Sequence, residues 1–77
     1  MNKVYVLTNE SVNCLIGVFS THKAATAAML NAFSGWHIDD VTLGSVCDTY
    51  KFVSPDESEV QACVIEMATV DDPMFMP

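Results

Sequence analysis

Alternating apolar positions in the first 20 residues predict two β-strands. In residues 3–8 the valine side chains point to one side and Tyr5 and Leu7 to the other, so both sides of this strand are partly covered. Residues 14–20 are a second apolar run of strand length, and a turn-rich stretch precedes them. We therefore expect a β-hairpin, in which Gly17 marks a bulge or a place where a helix packs close.

The period of the apolar residues changes to three and four after Ser20, which predicts an α-helix. The residues of its apolar face are Ala25, Ala28, Met29, Ala32 and Phe33. Either Ser20 or Thr21 can accept a hydrogen bond from the first-turn amides, and Gly35 can adopt the left-handed conformation that ends a helix. Because alanine dominates this segment, the helix is thin and can lie close on a sheet.

The stretch after Trp36 predicts a bent strand followed by a regular one. Its apolar residues are Ile38, Val41 and Leu43. Their spacing is out of phase for one regular strand, so we expect a bend or bulge near Asp39 and Asp40. Residues 46–53 have the composition and alternation of a regular strand.

Residues 59–70 fit two structures. If Ser54 caps a helix, Pro55 occupies its first position and Glu57 completes a capping box. If the same stretch is a hairpin loop, the segment returns as a strand beside the preceding one. Its apolar residues fall on both alternating faces, which favours a central strand. The predicted fold is therefore one α+β domain over residues 1–77, a small antiparallel sheet with one helix on a face, in the order β-β-α-β-β-β. The alternative is β-β-α-β-β-α with a C-terminal helix from Ser54.

The charge of the chain is strongly acidic and unevenly distributed, with a formal net charge of −7 at pH 7. Two Lys and one Glu give residues 1–38 a charge of +1, whereas one Lys and nine acidic residues give residues 39–77 a charge of −8. Direct nucleic-acid binding needs clustered Lys and Arg, and an anionic membrane would repel this surface. We expect neither partner, whereas a basic protein surface would attract the chain.

The cysteines and the first residues favour a cytoplasmic protein. Cys14, Cys47 and Cys63 are odd in number and widely spaced, unlike the dense, even set of a small secreted domain. We expect reduced, mostly buried thiols. No apolar stretch approaches the roughly 20 residues of a membrane span, and the first residues lack the pattern of a signal peptide.

No pattern predicts a metal site, a cofactor or a catalytic centre. His22 and His37 lack the close ligand pairs that structural zinc sites use, and we expect one capping and one surface histidine. His37 and Asp39 can share one face of a strand, where the carboxylate could orient the histidine as a base. No evident nucleophile accompanies them in the sequence apart from Cys47, which belongs to no catalytic motif. The three glycines are too scattered for a phosphate-binding loop. We therefore expect a protein that is not an enzyme. The less favoured hypothesis is an enzyme that uses His37, Asp39 or Cys47.

Two segments of the first half, VYVLTNES (residues 4–11) and IGVFSTHKAATAA (residues 16–28), resemble a family of small uncharacterised bacterial and phage proteins. Those proteins open with a VYVL-type strand and a short hydrophilic turn, followed by a GVFST strand end and a helix that begins near a KA pair. The resemblance covers residues 3–34 and implies a ββα opening and a phage or mobile-element origin. Its motifs are structural, so it assigns no functional residue.

The acidic half predicts an interaction surface. Carboxylates presented to a basic groove can imitate nucleic acid, and complementary charge speeds association and makes it salt-sensitive. Together with the implied origin, this predicts a stoichiometric inhibitor, of the anti-defence or host-takeover type, bound to a basic, nucleic-acid-handling protein of the host. The expected partner-binding residues are Asp39, Asp40, Asp48, Asp56, Glu57, Glu59, Asp71, Asp72, Met74, Phe75 and Met76. The alternative is a structural, self-assembling domain, such as a homodimer, whose charge serves only solubility.

The last seven residues, DDPMFMP, combine charge with apolar contact area. Either Met74, Phe75 and Met76 cover a bare sheet face, or they anchor a partner while the carboxylates steer it. Deleting residues 74–77 separates the two possibilities, because the first predicts lost thermal stability and the second lost binding at unchanged stability.

Overall fold

A computed structural model of the chain describes residues 2–70. The predicted α+β class is confirmed, since this part of the chain forms a five-stranded antiparallel sheet and one helix. The elements are β1 (Asn2–Asn9), β2 (Cys14–Phe19), α1 (His22–Ala32), β3 (His37–Leu43), β4 (Cys47–Val53) and β5 (Val60–Val70). Within the described part, no helix has the length and hydropathy to cross a membrane. The predicted partner-binding residues Asp71, Asp72, Met74, Phe75 and Met76 lie outside the described residues.

The strands are arranged in the order β2-β1-β5-β4-β3. The last strand, β5, lies at the centre and pairs in antiparallel fashion with both β1 and β4. Val60–Val70 is therefore a strand and not the alternative helix, as expected for a run that is apolar on both alternating faces. Ser54 caps no helix, because its Oγ accepts hydrogen bonds from the amides of Ser58 and Glu59 and so closes the β4–β5 loop.

The helix begins and ends close to the predicted signals. Thr21 is the N-cap, and its hydroxyl accepts a hydrogen bond of 3.0 Å from the amide of Ala24. Gly35 has the expected left-handed conformation, with a φ of 88°. The predicted apolar face is correct except at Ala32, which is exposed although the next residue, Phe33, is buried in the core.

Both predicted irregularities of the strands are present. The pairing of β1 with β2 shifts where Leu7 pairs with Gly17 and the next residue pairs with Leu15, so one residue of β2 is extra. The pairing of β3 with β4 shifts between Ile38 and Asp40, which leaves Asp39 as the extra residue. The bulge explains the irregular apolar spacing of β3, since it resets which side chains share a face.

The core lies between the helix and one face of the sheet, here called the helix side. It is built from Leu7, Ala25, Met29, Phe33, Tyr50, Phe52, Cys63 and Ile65. Phe33 of the helix stacks on Phe52 of β4 with ring centroids 4.5 Å apart, and Trp36 packs edge-on against Phe33. No element of the described chain covers the opposite face of the sheet.

The cysteines differ in burial, so the expectation of mostly buried thiols is wrong for two of three. Cys63 is buried in the core, where loss of solvent raises the pKa of its thiol to about 11. Cys14 and Cys47 are exposed because they are the first residues of β2 and β4, at the ends of the sheet. All three are free thiols.

Candidate functional site: the groove between α1 and β3

The helix covers only part of the helix side. It connects one edge strand, β2, to the other, β3, and packs against β1, β2 and β5. The helix lies along the strands, because His22 at its start contacts Asp48 near the beginning of β4 and Phe33 just after its end stacks on Phe52 near the end of that strand. A helix is about 10 Å across, whereas five strands are about 19 Å wide from first to last backbone. The sheet therefore extends beyond the helix at β3, whose helix-side residues are exposed, whereas Tyr50 and Phe52 of β4 are still covered.

A groove of about 670 Å³ follows from this arrangement. Its wall is one side of the helix and its floor is Tyr50 of β4. The lining residues are His22, Lys23, Thr26, Ala27, Leu30 and Tyr50. The lining is mainly apolar, and Leu30 is 46% exposed although it lies beside buried Met29. Such an opening between a helix and a sheet is a common place for a protein to bind a ligand or a peptide.

Beyond Tyr50, the helix side of the sheet continues onto β3. Pairing with Phe52, Tyr50 and Asp48 places Ile38, Val41 and Leu43 on this side. These three apolar side chains are 48%, 41% and 71% exposed. They extend the apolar surface from Tyr50 onto β3 and are here called the apolar rim, although the lining of the groove itself includes no β3 residue.

The outer side of β3 is also open. Within the described residues β3 pairs only with β4, so its outer backbone N–H and C=O groups have no strand partner. An edge strand with free backbone groups is a template for one further strand. Asp39 and Asp40 lie in the middle of this edge strand, and all of its residues are exposed. The edge therefore combines open backbone groups with negative charge.

Asp48 holds one end of the groove in place. Its Oδ2 accepts a hydrogen bond of 2.8 Å from Nε2 of His22 and a longer one of 3.5 Å from the Tyr50 hydroxyl. Its Oδ1 accepts from the amide of Gly44 in the β3–β4 turn. Burial, followed by the charge and the hydrogen bond of Asp48, raises the pKa of Tyr50 above its usual value, so its hydroxyl stays protonated and can donate. Asp48 thus connects the first turn of α1 to β4.

The structure does not bring together His37 and Cys47, two of the residues named in the enzyme hypothesis. His37 pairs with Val53 at one end of β4, whereas Cys47 is the first residue of that strand, about 20 Å away along six residues. A cavity of about 100 Å³ lined by His22, Asp48 and Cys47 lies near the other end. There the strand alternation turns the side chain of Cys47 to the face opposite Asp48. The His22–Asp48 pair joins the helix to the sheet at this end.

The predicted partner-binding carboxylates fall into three places. Asp39 and Asp40 lie on β3, and Asp48 lies at the end of the groove, where it is largely buried. Asp56, Glu57 and Glu59 lie in the β4–β5 loop, at the end of the sheet where β3 begins. The pKa of Asp56 is lowered to about 2 by hydrogen bonds from Ser58 and Ser54. The structure thus separates the loop carboxylates from the groove but keeps them at one end of it.

Two features of this site were not found by sequence reasoning. His22 was expected as a capping residue, but Thr21 caps the helix and His22 binds Asp48, 26 residues away. No sequence signal joins these two residues. For the groove the sequence carries a weak signal. Ala27 and Leu30 make the apolar face of the helix wider than the predicted one, which indicates apolar surface beyond the core contact.

Comparisons with known proteins identify no relative. No protein-family model, curated protein or solved structure matches the chain. The resemblance of the first half to small phage and bacterial proteins therefore stays a prediction, and the functional argument rests on the site.

Proposed function

We propose that this protein is a non-enzymatic binding domain that takes up an extended, basic segment of a partner protein along β3. The segment adds a sixth strand to the sheet and places alternate side chains in the groove between α1 and β3. The observation that supports this most directly is the combination found at β3: an open strand edge, an apolar rim and two carboxylates.

In strand addition, affinity and specificity come from different chemical groups of the protein. Backbone hydrogen bonds to the free edge of β3 supply affinity, and pockets for alternate side chains supply specificity. Residues of the bound segment that point to the helix side meet Val41, Leu43 and, across Tyr50, Leu30. This contact removes from water the apolar area that the short helix leaves exposed.

Charge selects a basic segment. Asp39 and Asp40 lie on β3 itself, and the loop carboxylates lie at the end where that strand begins. Lys23 on the groove wall and Lys51 beside Asp40 offset only part of this charge. The approach of a basic partner is therefore favoured at long range and weakened by salt.

The proposed biological setting follows the charge and the implied origin. A basic segment of a nucleic-acid-handling protein is the kind of partner that an acidic edge strand attracts. We propose that the protein acts as a stoichiometric inhibitor of such a host protein, of the anti-defence or host-takeover type, and that a phage or mobile element encodes it. A pull-down from host lysate at low and high salt would identify the partner.

The binding mode can be tested with a defined probe, a fluorescent ten-residue peptide that alternates lysine with leucine. We expect binding by fluorescence anisotropy that weakens about tenfold as the salt concentration rises from 50 to 300 mM, because exposed charges are then screened. Leu43→Asp should abolish binding without unfolding the protein. Leu15→Asp, on the other face of the sheet at 60% exposure, is the matched control and should bind normally.

Amide hydrogen exchange locates the peptide. Strand addition predicts that amides of β3 become protected when the peptide is bound, while amides of β2 at the opposite edge do not change. Equal loss of binding in both leucine variants, or protection of β2 instead of β3, would contradict the proposed site.

A further inference from the structure

The face of the sheet opposite the helix, here called the open face, is largely aliphatic. Strand register places Val4, Val6, Leu15, Val18, Val53, Val60, Ala62, Val64 and Ala68 on it. Leu15, Val18 and Val60 are each more than half exposed. A contiguous aliphatic face of this kind marks an interaction site, and it is separate from the groove, which lies on the helix side.

Charge distinguishes the open face from the rest of the molecule. The chain as a whole carries a formal charge of −7. Strand register places on the open face one lysine, Lys51, and two carboxylates, Glu66 and Asp40, the last of them on edge strand β3. Two copies of this acidic chain repel each other least if they approach through this face. A strongly basic partner has less reason to choose it than the acidic edge.

Glu66 restricts what can cover the open face. It lies on the central strand between Val64 and Ala68, and Val6 is its neighbour on β1. Covering this carboxylate without a cation would be strongly unfavourable. Lys51 is the cation that the face provides, and no ion pair holds it within the described chain. Lys51 has Asp40 as its cross-strand neighbour on the same face, so a partner that covers the face must above all bring a cation to Glu66, and an anion from the partner can share Lys51 with Asp40.

A second copy of the chain meets this requirement by symmetry. Glu66 lies opposite Cys47 and Lys51 lies opposite Ala62, so the two charges are separated by four residues along neighbouring strands, about 14 Å. A twofold axis in the plane of the interface, passing midway between them near Thr49 and Val64, exchanges their positions. Each Glu66 then faces the Lys51 of the other copy, and two reciprocal ion pairs flank an aliphatic centre.

The size of the face is sufficient for a weak dimer. Five strands at about 4.8 Å and about seven residues per strand give a face of roughly 20 by 23 Å. Two such faces packed about 10 Å apart bury roughly 1,000 Å² in total, near the lower limit for a specific interface. We propose that the protein forms a twofold homodimer through its open face, with Lys51 of each copy paired to Glu66 of the other.

Charge-reversal variants of Lys51 and Glu66 test this dimer directly. In sedimentation velocity from about 1 to 200 µM, we expect the wild-type chain to dimerise in the micromolar range typical of small interfaces. Lys51→Glu and Glu66→Lys should each weaken dimerisation by about tenfold or more. An equimolar mixture of the two variants should form a heterodimer, because every carboxylate then faces a lysine. The double variant should dimerise like the wild type.

The control is Glu10→Lys, which makes the same change of net charge as Glu66→Lys but lies in the β1–β2 turn. It should leave dimerisation intact, and circular dichroism verifies that every variant is folded.

A wild-type chain that stays monomeric at 200 µM, or single variants that dimerise normally, would overturn the proposal. If removing residues 71–77 turns a monomer into a dimer, then those residues and not a second copy occupy the face. The peptide assay on β3 is unaffected by any of these outcomes, so the two proposals fail independently.

Discussion

The two halves of the helix side have the same strand alternation but different environments. Under α1, Leu7 is fully buried and Ile65 is 2% exposed. Beyond the helix, Val41 and Leu43 lie on the same side of the same sheet and are 41% and 71% exposed. The residue types are alike, so the difference comes from what lies above them. One helix, about 10 Å across and lying along the strands, cannot cover five strands, so the far edge strand β3 remains exposed beside the groove.

This comparison separates stability from binding. Residues under the helix contribute to the core, and their loss leaves a cavity. Residues beyond the helix contribute little to the folded monomer, and their apolar area is free for a partner. A small domain with a modest core can therefore present a binding surface without losing the contacts that fold it.

The largest expected effect is the difference between two leucines on the same side of the sheet. Leu7→Ala should lower the free energy of unfolding by about 2–5 kcal/mol, because it leaves a cavity under the helix. Leu43→Ala should change it by about 0.5 kcal/mol or less, as an exposed position does. Urea unfolding followed by circular dichroism measures both. If Leu7→Ala does not fold, Ile65→Val is the milder core variant, with an expected loss of about 0.5–1.5 kcal/mol. Equal losses at the covered and uncovered positions would contradict the comparison.

A smaller effect is expected where the two halves are joined. Asp48→Ala removes the acceptor for His22, Tyr50 and the amide of Gly44, and should cost about 1–3 kcal/mol. Asp40→Ala removes the same charge from an exposed position on β3 and should cost about 0.5 kcal/mol or less. Thermal unfolding at constant pH compares the pair. A similar change for both would mean that Asp48 does not attach the helix to β4.

The smallest effect concerns the loop carboxylate Asp56. Its folded pKa of about 2 lies below the ordinary value of 3.8, so its stabilising contribution is present above pH 3.8 and is lost as the pH falls toward 2. Asp56→Asn keeps the hydrogen-bond acceptor but removes the charge. We expect its unfolding temperature to be below that of the wild type at pH 6 and equal to it at pH 2.

Glu59→Gln is the control for Asp56, because its carboxylate accepts no hydrogen bond from the described residues although it lies in the same loop. Its unfolding temperature relative to the wild type should depend less on pH. An Asp56→Asn difference that persists unchanged at pH 2 would show that the charge is not the cause.

Local signals predicted most of the elements correctly. Thr21 and Gly35 bound the helix as expected, and the out-of-phase spacing around Asp39 indicated a real bulge. These predictions work because capping, backbone conformation and alternation depend on neighbours in sequence. Ser54 was the ambiguous case, since its hydroxyl can accept from the first amides of a helix or, as here, from amides of a tight loop.

The sequence by itself determined the strand alternation, the helix limits, the acidic balance of the second half and the α+β class. The tertiary structure decided which apolar residues remain exposed, that His22 meets Asp48, and that Lys51 and Glu66 share a face without a covering layer. The physical reason is that alternation assigns a side chain to a face but says nothing of what packs on it. Coverage depends on the width and position of the one helix that the described chain lays along the sheet.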